Sequence, residues 1–152
     1  MKVLLYIIIS LFLLLSILIF SLSISSRKQP ELGLSNKRLQ ACPATPNCVC
    51  SEWQGQVAYI EPISYSIAHA AAWASIRQAV INSGGEIVAE QDNYLHARYV
   101  TPLLRFVDDV ELRLDEDQHL IHVRSASRVG HSDLGTNRKR IHNLRKLFYQ
   151  LR

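Results

Sequence analysis

Only three cysteines occur in the 152 residues, and no two of them form a Cys-x-x-Cys pair. The paired pattern of a zinc ribbon is therefore absent. No G-x-S-x-G elbow marks a serine nucleophile. No glycine-rich loop ending in Lys-Ser/Thr marks a phosphate-gripping P-loop. Internal repeats and low-complexity tracts are missing as well. Strand and helix signals do not alternate, which excludes the βαβ order of a parallel nucleotide-binding sheet. These absences leave no cofactor and no metal to expect, and no reaction to name.

A chain of this length has room for one membrane segment and one small domain. Apolar residues make up 48% of it but are unevenly spread. Val3 to Ile24 is a single apolar run broken only by Ser10, Ser16, Ser21 and Ser23. A run of about 20 apolar residues spans a bilayer as a helix. It also exceeds the apolar core of about 7–15 residues in a cleaved signal peptide. Residues 1–24 are thus expected to be a transmembrane anchor, with the membrane as partner through residues 3–24. The small residues Ser21 and Ser23, or Ser23 and Ser25, keep a cleaved signal as the alternative. Residues 25–41 are polar and basic, contain Pro30 and Gly33, and read as a linker. Residues 42–152 read as one domain.

Two signals about the membrane side oppose each other. Arg27, Lys28, Lys37 and Arg38 follow the apolar run, whereas only Lys2 and the amino terminus precede it. The positive-inside rule would place the domain in the cytoplasm. The cysteines point outward. In Cys42-Pro-Ala-Thr-Pro-Asn-Cys48 the two prolines and Asn47 fold the chain back sharply, and a Cys42–Cys48 disulfide suits an oxidising compartment. Reduced structural thiols and, last, a metal site are the alternatives. The expectation is a single-pass protein with its domain on the extracytoplasmic, periplasmic side.

A net charge of +4 conceals a segregation. Leu39 to Val123 holds eleven acidic and four basic side chains, whereas Arg124 to Arg152 holds eight basic and one acidic. A nucleic-acid binder would show a basic face with exposed aromatics. The basic tail offers only Phe148 and Tyr149, so nucleic acid is not an expected partner. The tail would offset the acidic strands beside it, or touch anionic lipid.

Hydrophobic spacing supplies the elements. Ile67, Ala70, Ala71, Trp73, Ile76, Val80 and Ile81 recur at helical intervals across Ser66–Asn82, and Gly84-Gly85 stops the helix. Strand signals fall at Val57–Ile60, Glu86–Glu90, Tyr94–Val100, Leu104–Leu114 and His119–Ser125. A second helix is expected over Asp133–Leu151, with Leu134, Ile141, Leu144, Phe148 and Leu151 on one face. The order predicts an α+β domain: an antiparallel sheet of about four or five strands with two helices packed on one face.

If Asp115–Gln118 is the hairpin loop, Leu112 pairs with Ile121 and Val110 with Val123 on the core face. The other face then pairs Glu111 with His122 and Asp109 with Arg124, as solvated cross-strand pairs that include His96. Asp108 falls on the apolar face opposite Ser125, where it must find hydrogen-bond donors. The nearest lie in RSASRVGHSDLGTNRKR, Arg124 to Arg140, with four arginines and one lysine in seventeen residues. Ser132 or Asp133 can cap the last helix. That helix start, beside Arg124, Arg128 and Arg138, would attract an anion. The anion is either internal, Asp108 or Asp109, or an external ligand.

Cys42-Pro-x-x-Pro-Asn-Cys48-Val, Tyr94-Leu-His-Ala, Arg105-Phe-Val-Asp-Asp-Val-Glu111 and RSASRVGHSDLGTNRKR together resemble the domain-of-unknown-function family numbered 1499, from roughly Cys42 to the C-terminus. Cys50 departs from that pattern, which carries Ser there, and so becomes the odd thiol. The resemblance implies bacterial and plastid proteins, often with an export or membrane segment, and no established activity. The expected role is binding or structural, in the cell envelope. Its partner would be an anionic small molecule, a lipid head group or an envelope protein, met by Arg124, Ser125, Ser127, Arg128, Ser132, Asp133, Arg138, Asp108 and Asp109. The alternative is an enzyme such as a hydrolase, with Asp108, Ser125, Ser127 and the arginines in a pocket.

Overall fold

A computed structural model describes residues 1–151. The apolar run forms helix α1 (Lys2–Ser25), exposed along almost its whole length. Its 24 residues extend about 36 Å at 1.5 Å per residue, against a bilayer hydrocarbon core of about 30 Å. It is the one helix among the described residues long and apolar enough to cross a membrane.

The domain is α+β. Strands β3 (Cys48–Cys50), β4 (Ile63–Ser64), β5 (Glu86–Gln91), β6 (Tyr94–Val100), β7 (Val107–Asp115) and β8 (Leu120–Ser127) form a six-stranded antiparallel sheet, with the short β3 and β4 both paired to β8. Six strands replace the four or five expected. Strands of two or three residues are too short to show alternation, so β3 and β4 leave no periodic trace. The expected strand at Val57–Ile60 is not one: Val57 is fully exposed and Tyr59 makes only an isolated bridge to Cys50.

Helices α2 (His69–Asn82) and α3 (Thr136–Leu151) cover the apolar sheet face. Leu95, Ala97, Val110, Leu112, Ile121 and Val123 alternate onto that face and meet Ala72, Ile76, Val80, Ile141, Leu144 and Phe148, all fully buried. The buried side of α2 is Ala72, Ile76, Ala79 and Val80; Ala70, Ala71 and Ile81, expected in its stripe, are exposed. Gly84 lies in the left-handed region after the helix, at φ +88°.

The β7–β8 hairpin differs from expectation by two residues. The loop is Glu116–His119, with His119 at φ +54°, so Asp115 stays in the strand and pairs with Leu120. Arg124 therefore lies opposite Glu111, His122 opposite Arg113, and Asp108 opposite Ser127. A shift of two keeps every side chain on its face but changes its partner.

The stretch read as linker carries structure. Its small hairpin, β1 (Leu34–Ser35) with β2 (Arg38–Leu39), lies against the second sheet face and buries Leu39 completely. Ser26 Oγ accepts the Val107 amide at one end of β7, and the Gly33 amide reaches Glu111 in its middle. Residues 26–39 thus run as a strap along the polar face of the sheet.

Candidate functional site

Under the strap lies a layer of ionised and polar groups that the alternation of β6, β7 and β8 directs to this face. Strong burial replaces the solvated pairing expected there: His96, Asp109, Glu111, His122 and Arg124 are all less than 10% exposed. Asp109 accepts from Arg128 Nε and Nη2 at 2.8 and 2.7 Å and lies 2.7 Å from His96 Nε2. Glu111 accepts from Arg124, Tyr94 and the Gly33 amide. Glu52 accepts from Arg113, Arg38 and the Leu39 amide. Arg124 Nε is the one buried side-chain nitrogen or oxygen without a partner among the described residues. A buried charge is tolerated when paired and fully hydrogen-bonded, and this layer meets that condition almost throughout.

The arginine-rich stretch is divided among internal partners. Arg124 goes to Glu111 and Arg128 to Asp109. Arg138, expected beside the acidic strand, instead donates to the Tyr59 carbonyl at 2.9 Å. The cation that meets Asp108 is Arg140, at 2.5 Å, one turn of α3 further in than the buried Asn137. Arg140 also donates to Ser125 Oγ and Asn137 Oδ1 and stacks 4.9 Å from the Tyr99 ring centroid. Ser125 donates to Asn137, and Ser127 Oγ accepts from Asn137 Nδ2. Asp108, Ser125 and Ser127 therefore join the sheet to α3.

At the start of α3, Asp133 accepts the amides of Gly135 and Asn137, and Ser132 accepts that of Leu134. The helix terminus is thus capped by its own carboxylate, which occupies the place an external anion would take. Ser132, Asp133 and Arg138 border a groove of about 850 Å³, whose opposite wall includes Cys42, Pro43 and Cys48. Cys42 and Cys48 are disulfide-bonded, with Cα atoms 5.6 Å apart. Cys50 is free and buried; burial raises its pKa, against weaker opposing effects of a backbone hydrogen bond and Arg124. Such a thiol is unreactive.

A polar cavity of about 700 Å³ opens at the far end of the strap. Lys37 and Arg38 of the strap hairpin, Ser51, Glu52, Arg113 and His122 line it. Ser51 Oγ lies 3.2 Å from His122 Nδ1 and accepts the Val123 amide at 2.8 Å. His122 Nε2 is 3.9 Å from Asp115, beyond hydrogen-bond reach. Burial lowers the His122 pKa, so the ring is neutral near pH 7, partly offset by Glu52. Sequence reading missed this group because Ser51 and His122 are 71 residues apart and no local motif links them.

The electrostatics predict a pH dependence. Burial alone would raise Asp109 and Glu52, but hydrogen bonds from Arg128 and His96, and from Arg113 and Arg38, hold both below their ordinary values of 3.8 and 4.5. The unfolded chain therefore binds more protons in acid, and the stabilisation present above those values is lost as pH falls through the folded ones. His122, lowered from 6.5, acts with the same sign from that pH downward. Urea midpoints read by tryptophan fluorescence should decline shallowly below pH 6.5 and steeply below 4.5. A midpoint that rises on acidification across that window contradicts the assignment.

The family model described as a protein of unknown function (DUF1499) matches residues 38–148, and the chain belongs to that family. No curated protein and no solved structure matches the chain.

Proposed function

We propose that this is a membrane-anchored envelope domain that binds a small anionic molecule in the cavity at Ser51 and His122. The observation that carries the reading is the cavity's lining. Lys37, Arg38 and Arg113 face two carboxylates, Glu52 and Asp115, so the wall keeps one net positive charge. Both Glu52 oxygens are already taken by Arg38, Arg113 and the Leu39 amide. His122 Nε2 makes no hydrogen bond in the site, with Asp115 Oδ2 3.9 Å away, and would donate to a ligand. The arginine-rich stretch is the less favoured place, because Arg124, Arg128 and Arg140 each hold a buried carboxylate, whereas Lys37 in the cavity wall is exposed.

Helix α1 supports the anchor by length and apolarity. The Cys42–Cys48 bridge supports an extracytoplasmic side, since such bridges persist in oxidising compartments. Nuclear magnetic resonance titration of the full chain with small carboxylates and phosphate esters is the test. Saturable shifts at His122 are expected, with affinity weakened about tenfold in Lys37→Ala, whose side chain is exposed. A panel that leaves the His122 signals unmoved removes the proposal.

A second reading, a hydrolase with Ser51 as nucleophile, has one observation in its favour: the Ser51–His122 contact with Asp115 beyond it. Against it, Ser51 is only 3% exposed and its oxygen already accepts an amide. Labelling of Ser51 by a fluorophosphonate, lost in Ser51→Ala, would establish that reading over the first.

A further inference from the structure

One end of the sheet carries an apolar loop tip that nothing in the domain covers. The β6–β7 connection, Thr101-Pro-Leu-Leu-Arg-Phe106, leaves Leu103 88% and Leu104 42% exposed, with Arg105 exposed between them and Phe106. Single exposed leucines are ordinary on a surface. Two adjacent ones at a loop tip beside a cation are a different pattern, and their place in the fold matters more.

That end of the sheet is where α1 leaves the domain. Ser26, the residue after the helix, is fully buried and takes the Val107 amide. Arg128, whose other face holds Asp109, donates to the carbonyls of Ser26, Arg27 and Lys28. The helix exit is thereby tied to the start of β7 and the end of β8. Leu103 is four residues from Val107, so the chain can carry it no more than about 14 Å from that point. Arg27 and Lys28 are exposed at the same place. Helix α1 is longer than the hydrocarbon core, so as a membrane span its last turn would emerge at head-group depth.

We propose that the Thr101–Phe106 loop is a second membrane contact, inserting Leu103 and Leu104 into the interface of an anionic bilayer. Arg105, Arg27 and Lys28 meet its phosphates. The inference rests on α1 being a membrane anchor. Leucine side chains enter the head-group boundary while neighbouring cations stay with the lipid charges. The contact would fix the tilt of the domain, so that the cavity at Ser51 and His122, at the opposite end of β7 and β8, points away from the bilayer.

The test uses full-length protein in vesicles of mixed phosphatidylcholine and phosphatidylglycerol. Single cysteines replace Leu103, Asp117 in the opposite loop, or Leu13 in α1, and each carries a nitroxide. The native Cys50 is buried and the other two cysteines are bonded, so they stay silent. The label at 103 should be more accessible to oxygen than to a water-soluble nickel complex, as at 13, with the reverse at 117. Equal nickel access at 103 and 117, with 13 still protected, overturns the loop contact and leaves the anchor standing. Shielding of 103 from both reagents, as by a second copy of the chain, overturns it too. Nickel access at 13 means the anchor itself fails, and the loop contact falls with it.

Discussion

Replacing Arg140 by methionine should lower the stability of the domain by about 3–5 kcal/mol, because it strands a buried carboxylate. Asp108 has 6% of its side chain exposed, and Arg140 is its ion-pair partner. The same change removes donors to Ser125 and Asn137 and the contact over Tyr99. Arg138→Met is the control. It removes one hydrogen bond to a carbonyl and leaves no charge unpaired, so a loss of about 1–2 kcal/mol is expected. Denaturation of the full chain in detergent measures both, since its two tryptophans, Trp53 and Trp73, lie outside α1 and report the domain alone. The double variant Asp108→Asn with Arg140→Met should recover part of the loss, a coupling of roughly 1–3 kcal/mol. Equal effects of Arg138→Met and Arg140→Met would show that α3 docks in another register.

Asp109→Ala should cost a similar amount, about 3–5 kcal/mol, for the converse reason: it leaves a buried guanidinium without its anion. Arg128 has 7% of its side chain exposed and is held by both Asp109 oxygens. His96 loses its partner in the same step. The effect should reach the end of α1, because Arg128 also holds the carbonyls of residues 26–28. Faster amide exchange is therefore expected at Val107, whose amide bonds to Ser26, than at Leu112 in the core of the same strand. The variant should also lack part of the acid-induced loss of stability, since one of the depressed carboxylates is gone. An acid profile identical to that of the parent would assign the dependence to Glu52 and His122 instead.

These results would distinguish a stabilising network from a ligand site. In RSASRVGHSDLGTNRKR four guanidinium groups are spread over four unlike partners: Glu111, Asp109, the Tyr59 carbonyl and Asp108. The stretch therefore joins sheet, strap and final helix. The proposed ligand site lies instead in the cavity where the exposed Lys37 stands beside Ser51 and His122.

Local chemistry determined much of the molecule from sequence alone. The apolar run of α1, the alternation of Val110, Leu112 and Leu114, the stop at Gly84-Gly85 and the cap at Ser132 or Asp133 each depend on neighbours within a few residues. So did the bend that brings Cys42 to Cys48. The pairing of charges did not. A two-residue slip at Asp115 preserves every face yet moves Arg124 from Asp109 to Glu111, and only the geometry of the turn at His119 selects between them. The strap was equally hidden, because residues 26–39 dock through backbone amides and carbonyls, which carry no residue-type signature. Once docked, that strap turns an outward polar sheet face into a buried ionic layer and closes one wall of the cavity. Contacts between residues 70 to 100 positions apart have no periodicity to read, and here they place the site.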